Sequence, residues 1–367
     1  IKWPKLDVFW KVIVSWIKYR RSSLEKKYTY KNPTVTINND DKIIVGLSGG
    51  VDSSVTAYLL LEQGYNVEAL FMKNWDEADD DKYCTASKDL EDAQKVSDQL
   101  GIKLHTVNFS HEYWEDVFEH FLSEHKKGRT PNPDVLCNQR IKFKAFLNYA
   151  KNLGAKKIAT GHYARISKVN GSFLLKCGLD KNKDQSYFLH LLDKNQLSQS
   201  LFPLGEIDKN QVREIAKNNN FVNADKKDST GICFIGERPF ADFLTTFLPK
   251  EQGNIINKNG DFIKHHHGLP FYTIGQRKGL EIGGGFSDSQ EPWFVAEKIL
   301  ESNEIVAVQG DDPLLYHNTL IADNIHWVDI VPQFPLNCTA KIRYRQASQD
   351  CKVIMLENNC LEVNFSE

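Results

Sequence analysis

Three short stretches hold the residue types that chemistry needs. Gly46-Leu47-Ser48-Gly49-Gly50-Val51-Asp52-Ser53 lies where an apolar run gives way to a helix-compatible one. Glycines there let the backbone turn tightly and approach a phosphate, while the Ser48 and Ser53 hydroxyls and the amides of the helix start can donate hydrogen bonds to it. No Gly-Lys-Ser/Thr follows, so this is not the Walker pattern. In Gly128-Arg129-Thr130-Pro131-Asn132-Pro133-Asp134-Val135-Leu136-Cys137-Asn138, the prolines keep the chain extended until Asp134, which puts Cys137 near a helix start. A thiol at a helix N-terminus, with Arg129 near it in sequence, is pushed toward thiolate, the form a nucleophile or sulfur handler requires. In Asp228-Ser229-Thr230-Gly231-Ile232-Cys233-Phe234-Ile235-Gly236, Cys233 lies between glycines, just after Lys226 and Lys227. Either cysteine alone also fits a buried, inert position. Together they suggest a pair that meets during turnover.

The elements that must position these residues read as an alternation. Ile43 to Leu47 is a strand, Val51 to Leu61 a helix ending at Gly64, and Val67 to Phe71 a strand. A helix over Lys88 to Leu100, a strand over Ile102 to Val107, helices near Tyr113 to His125 and Ile141 to Asn152, and a strand at Lys157 to Thr160 follow. This order predicts a parallel sheet covered on both faces, with ligands at the carboxyl ends of its strands. After about Phe202 the elements shorten, with a helix at Gln211 to Asn219 and a glycine-rich stretch through Gly268, Gly275, Gly279 and Gly283 to Gly285. From Trp293 onward the runs Trp293 to Glu297, Glu304 to Val308, Thr339 to Tyr344 and Lys352 to Leu356 predict a small antiparallel barrel or sheet. The expected division is a basic extension over 1–42, a nucleotide-binding catalytic domain over 43–205, a central domain carrying Cys233 over 206–280 and a C-terminal β domain over 281–367.

A chain of 367 residues exceeds what one hydrophobic core usually serves, and 41% hydrophobic with 26% charged residues excludes a disordered or fibrous class. The net charge of -2 hides an imbalance, since residues 1–42 carry +6 and leave -8 for the remainder. Any nucleic-acid site in the main body must therefore be a local basic patch. Seven cysteines at irregular spacing do not read as a disulfide framework, and no CxxC pair or zinc-ligand spacing appears. The run His265-His266-His267 reads as a solvated loop before it reads as a metal site. No stretch has the roughly 18 apolar residues a membrane span needs. The opening segment, with Trp3, Trp10 and Trp16 among basic residues and a mildly amphipathic Val8 to Ile17, reads as an upstream stretch without a role, or else as an organellar presequence or surface-binding helix.

The glycine loop matches the SGGxDS loop of ATP pyrophosphatases, and from residue 43 to 367 the chain resembles the bacterial and organellar tRNA-specific 2-thiouridylases. Further stretches carry the likeness: Phe71-Met72-Lys73-Asn74-Trp75, Thr160-Gly161-His162-Tyr163-Ala164, Lys183-Asp184-Gln185-Ser186-Tyr187-Phe188, Gly275-Gln276-Arg277-Lys278-Gly279 and Arg343-Tyr344-Arg345-Gln346. The resemblance implies an adenine-nucleotide alpha-hydrolase-like (PP-loop) α/β domain, then a small central domain and a C-terminal antiparallel β-barrel-like domain. It implies ATP and Mg²⁺, with Gly46, Leu47, Ser48, Gly49, Gly50, Val51, Asp52 and Ser53 at the phosphates, Asp52 helping to hold the metal, and Met72 and Gly161 near the nucleoside. Cys233 would carry a persulfide delivered by a donor protein, Cys137 would be the second catalytic cysteine, and the two would form a transient disulfide. Asn132, Pro133 and Asp134 would face the target uridine, Asp134 also moving a proton, and His162, Lys183, Asp184, Gln185, Arg343 and Tyr344 would contact tRNA. The family implies a cytoplasmic enzyme, or an organellar one if residues 1–42 are a presequence.

Two departures and two rivals accompany that likeness. The family usually continues past the strand at Cys360 to Phe365 into a closing pair of strands and a Pro-Gly-Gln turn, so an open barrel edge is expected here. The basic extension is the other departure. One rival is a different ATP pyrophosphatase, a lysidine synthetase or an amidotransferase synthetase, which adenylates and then adds nitrogen without any cysteine pair. The other is a tRNA-binding protein that keeps the fold without the chemistry.

Overall fold

A computed structural model describes residues 13–14, 40–75, 86–228, 240–283 and 290–366. Cys233, Gly284, Gly285 and nearly all of the basic extension lie outside the described residues. Ile13–Val14, within the mildly amphipathic stretch, form a short strand against Lys341 and Ala340.

The first layer is a five-stranded parallel sheet. Its strands are β1 (Lys42–Gly46), β2 (Asn66–Lys73), β3 (Leu104–Asn108), β4 (Lys157–Ala159) and β7 (Ser200–Leu201), in the order β3-β2-β1-β4-β7. Ile43, Ile44 and Val45 of β1 are all buried, as expected of a central strand covered on both faces. Between them run α1 (Val51–Glu62), α2 (Ala86–Leu100) and a helical run from α3 (Ser110–Tyr113) through a π-helical segment (Trp114–Phe118) into α4 (Glu119–Lys126). A second such run joins α5 (Pro133–Leu136), a π-helical segment (Cys137–Ala145) and α6 (Phe146–Asn152). The strand order reverses between β1 and β4, so a crevice opens at their carboxyl ends, the place where α/β sheets bind ligands.

A hairpin, β5 (Ala164–Val169) and β6 (Ser172–Cys177), lies between β4 and β7 in the chain and adds to the elements expected. Its turn is Asn170-Gly171 with both φ angles positive, at 51° and 84°, the geometry of a two-residue type I′ loop. The short helices α7 (Lys194–Ser198) and α8 (Lys209–Asn218) each start on a capping box, Asp193 with Gln196 and Asp208 with Gln211. After α9 (Phe240–Thr245), a four-stranded sheet orders β8 (Gly253–Ile256), β9 (Phe262–His266), β10 (Trp293–Ile299) and β11 (Glu304–Gln309) as β9-β8-β11-β10. The last sheet is antiparallel, with β12 (Thr319–Ala322), β13 (Leu336–Lys341), β14 (Gln349–Met355) and β15 (Leu361–Phe365). The strand expected to reach Tyr344 stops at Lys341, because residues 342–346 turn so that Tyr344 packs on Phe188, ring centroids 4.5 Å apart.

The histidine run is not a solvated loop. His265 and His266 belong to β9, and His266 is fully buried. The Gly268 amide donates to His266 Nδ1, so Nε2 carries the hydrogen and donates to the Asn303 carbonyl. Among the described residues no cluster of three or more His, Cys, Asp or Glu side chains is placed to hold a metal, and no helix is long and apolar enough to cross a membrane.

Burial lowers the pKa of His266, of His162, and of His125, which falls to about 4. In the unfolded chain these imidazoles titrate near 6.5, so below that pH the unfolded state binds protons that the folded state refuses. Stability therefore falls as pH drops from 6.5, and the His125 share of the loss is complete below its folded pKa. Urea unfolding at pH 7.5 and 5.5 should show a His125→Gln variant losing about 1.4 kcal/mol less than the parent between those two values; an equal loss would show that His125 does not contribute.

Candidate active site

The loop at the end of β1 is shaped from several directions. Gly49 adopts φ +75°, and a Cβ there would stand 2.2 Å from the Asp89 carbonyl oxygen, so only glycine fits. Over Gly50 the space is open, the nearest atom to where a Cβ would stand being Ser48 Oγ at 3.5 Å. The Ser53 hydroxyl donates to the Gly50 carbonyl and accepts from the Ser48 amide, which ties the two ends of the turn. At the start of α1 the first amides lack carbonyls one turn before them, so the helix start offers N–H groups suited to an anion.

Distant residues hold this shape. Asn223, 2% exposed, donates through its amide to the Gly49 carbonyl at 3.0 Å and to Ser54 Oγ at 2.9 Å. Lys226 Nζ donates to the same carbonyl and to Asp89 and Asp92. Burial would lower the Lys226 pKa, but the hydrogen bonds to those two carboxylates raise it. Gly161, beyond β4, packs where a Cβ would lie 2.9 Å from the Asp52 carbonyl carbon. Met72 meets Gly46 from the other side, as does the Phe146 ring.

Beside the loop sits a charge cluster in which Asp52, Lys183 and Asp228 meet Lys209 and Arg213, two residues that the sequence did not bring to notice. Lys209 Nζ lies 2.7 and 2.9 Å from the two Asp52 carboxylate oxygens and 2.7 Å from Asp228 Oδ1. Asp228 also accepts from Lys183 at 2.6 Å and Arg213 at 2.8 Å. Burial would raise the Asp228 pKa, yet the hydrogen bonds from Lys183 and Lys209 hold it at about 2. The Tyr163 hydroxyl donates to Asp52 at 2.7 Å, and burial, reinforced by the Asp52 charge, pushes its pKa upward. Lys209 could have been suspected from the Asp208-Lys209-Asn210-Gln211 capping box, which sets a lysine at a helix N-terminus, where the macrodipole disfavours a cation.

The second motif begins as expected and then departs. Asn132 caps α5, its Oδ1 accepting from the Asp134 amide at 3.1 Å, with Pro133 buried and Asp134 half-exposed in the first turn. Cys137 is not displayed on the polar loop. It is 1% exposed, and its side chain belongs to the aromatic core that includes Phe121, Phe143 and Phe146. Its own amide already bonds to the Pro133 and Asp134 carbonyls, and Arg129 pairs with Glu124 at 3.0 Å. The physical reason is register: the thiol stands at the start of a π-helical segment, one turn inside the helix, on the face turned to the sheet.

The residues expected at RNA fall into two groups. Asp184 accepts from the Gly178 and Ser186 amides, and Gln185 Oε1 accepts from the Tyr163 amide, so both brace the Tyr163 turn. His162, 8% exposed, bonds Thr160 Oγ1 and lies between the Phe143 and Phe202 rings, so its ring is not presented outward here. Lys183, Arg343 and Tyr344 are on or near the surface, with Arg343 donating to the Ile274 carbonyl at 2.8 Å.

Family models match three consecutive parts of the chain: a tRNA methyl transferase HUP domain over residues 41–237, a tRNA methyl transferase PRC-barrel domain over 241–309 and an aminomethyltransferase β-barrel domain over 317–367. A tRNA-specific 2-thiouridylase MnmA of Vesicomyosocius okutanii is 65% identical over 331 residues, covering 90% of this chain and 91% of its own length. Proteins of that name from Marinomonas sp. and Klebsiella pneumoniae are 54% and 58% identical, covering 96% and 89% of this chain and 92% and 89% of their own. The chain belongs to the tRNA-specific 2-thiouridylase family. Within this 2-thiouridylase the HUP match spans the parallel sheet together with Asn223, Lys226 and Asp228, so the groups that shape the loop and those of the charge cluster lie in one unit.

Because Asn223 is buried and bonds both the loop and α1, an Asn223→Ala variant should lose about 2 kcal/mol of stability. Urea unfolding measures it, and a loss under a few tenths would show that the loop holds its shape without that amide.

Proposed function

We propose that this 2-thiouridylase family member makes 2-thiouridine in tRNA, using ATP to activate the wobble uridine and a cysteine persulfide to supply the sulfur. The observation that carries the reading is the anion-shaped Gly46–Ser53 loop, set at the strand-order reversal of a chain 65% identical to a tRNA-specific 2-thiouridylase. The loop takes the ATP phosphates, with Met72 and Gly161 beside the nucleoside. A divalent cation suits Asp52, an oxygen donor that already accepts the Lys209 ammonium on both oxygens. Mg²⁺ bound there would screen phosphate charge as pyrophosphate leaves.

A carbonyl oxygen leaves poorly, so the 2-keto oxygen first attacks the α-phosphorus, joining AMP to the uridine and releasing pyrophosphate. The terminal sulfur of a persulfide on Cys233 then adds at C2, and AMP departs with the former carbonyl oxygen. Attack of the Cys137 thiolate on Cys233 Sγ breaks the sulfur-sulfur bond, leaves the sulfur on the base and joins the two cysteines in a disulfide. Asn132, Pro133 and Asp134 face the extruded base, and Asp134 exchanges a proton with it. Lys183, Arg343 and Tyr344 meet the RNA, while Asp184 and Gln185 brace the Tyr163 turn and His162 lies within the core. Cys137 lies in the core in this state, so its step follows a rearrangement of the α5 segment.

Purified protein, unmodified tRNA, ATP, Mg²⁺ and a persulfide source should give thiolated tRNA, read by its retardation in a mercury-containing gel. Cys137→Ala and Cys233→Ala should abolish the retarded band. If both variants thiolate like the parent, the cysteine pair has no part; pyrophosphate release without thiolation would favour the adenylating rival.

A further inference from the structure

Lys209 is an odd residue for its place. It occupies the first position of α8, where a cation meets the positive end of the helix, yet its side chain is only 11% exposed. Its backbone is fixed: the Asp208 cap sets the helix start and the Lys209 amide donates to Asp180 Oδ2 at 3.0 Å. All of its ammonium hydrogen-bonding capacity goes to Asp52 and Asp228, and the ammonium stands 5.8 Å over the Tyr163 ring. The two carboxylates depend on it unequally. Asp228 keeps Lys183 and Arg213 if Lys209 turns away, whereas the Asp52 carboxylate, among the described residues, keeps the neutral Tyr163 hydroxyl. Lys209 is thus anchored through Asp228 and exchangeable at Asp52, in the first turn of the helix that follows the loop.

We propose that Lys209 is a phosphate-binding residue of this site, whose ammonium neutralises Asp52 in the nucleotide-free enzyme and turns to the β- and γ-phosphates of ATP while Asp228 keeps its anchor. This rests on reading the loop as the nucleotide site. The neighbouring cation Lys226 serves a different end, since its bonds go to Asp89, Asp92 and the Gly49 carbonyl and so hold the loop itself. A lysine whose only task is to neutralise Asp52 would become dispensable once that carboxylate is neutral. A lysine that binds phosphate would not.

Calorimetric titration of ATP and of AMP, in EDTA so that no divalent cation intervenes, separates these cases. Lys209→Met should weaken ATP binding roughly tenfold or more and AMP binding far less, and Lys209→Arg should restore part of the ATP affinity. Asp52→Asn should bind metal-free ATP at least as tightly as the parent, and adding Lys209→Met to it should again cost ATP affinity. Equal affinities for Asp52→Asn and the double variant would overturn the proposal, as would equal losses for ATP and AMP, which mark a structural role. Thermal unfolding of each variant checks that it is folded, and the arginine variant, which keeps the charge, carries the test if the methionine variant is not. A parent protein that binds neither ATP nor AMP would overturn the nucleotide reading of the loop together with this proposal, whereas binding by the parent with Lys209→Met unchanged would sink this proposal alone.

Discussion

Burying an ammonium costs several kcal/mol unless carboxylates meet it. In this molecule that requirement draws four segments together. Lys209 must find Asp52 at the head of α1 and Asp228 beyond α8, and Asp228 in turn holds Lys183 and Arg213. The glycine loop, the helix behind it, the turn containing Lys183 and the chain leading toward Cys233 therefore share one electrostatic cluster. The cost falls unevenly: Lys209, the least exposed member, would be stranded without its carboxylates, whereas Lys183 and Asp52 keep access to water.

Packing adds a second constraint to the charge cluster. Gly49 and Gly161 bring backbone against backbone at distances no side chain allows, and Asn223 and Lys226 both point at the Gly49 carbonyl. A carbonyl held inward by two donors leaves the opposite face of the turn to its amides. The donors this turn presents are thus a by-product of where its oxygens are spent.

Much of this is readable from local patterns. A strand, a glycine turn and a helix in immediate succession permit few arrangements, and the alternation from Ile43 to Thr160 leads to a parallel sheet because crossovers of that length demand one. The hairpin at Asn170-Gly171 carries an equally local signal, a turn dipeptide between two apolar runs. Other features depend on side-chain direction or distant partners. The inward direction of Cys137 depends on which helix face meets the aromatic core, which the motif's spacing does not carry. Tyr344 leaves its strand for the rings of Phe188 and Tyr187, some 155 residues earlier in the chain. His266 is polar in sequence and proves to be a core residue with both ring nitrogens bonded. Lys209 carries only the weak signal of a lysine just after a helix cap, and only the folded chain shows which carboxylates it meets.

The bonds from Asn223 and Lys226 to Gly49 span 174 and 177 residues. On the ribosome the first four strands of the parallel sheet emerge well before either residue does, so a nascent chain can build most of that sheet while its loop is still without the donors that fix its oxygens. The turn gains both donors only when the helix α8 and the segment after it have cleared the exit tunnel and docked. Synthesis thereby orders the steps: scaffold first, the bonds that fix the loop last.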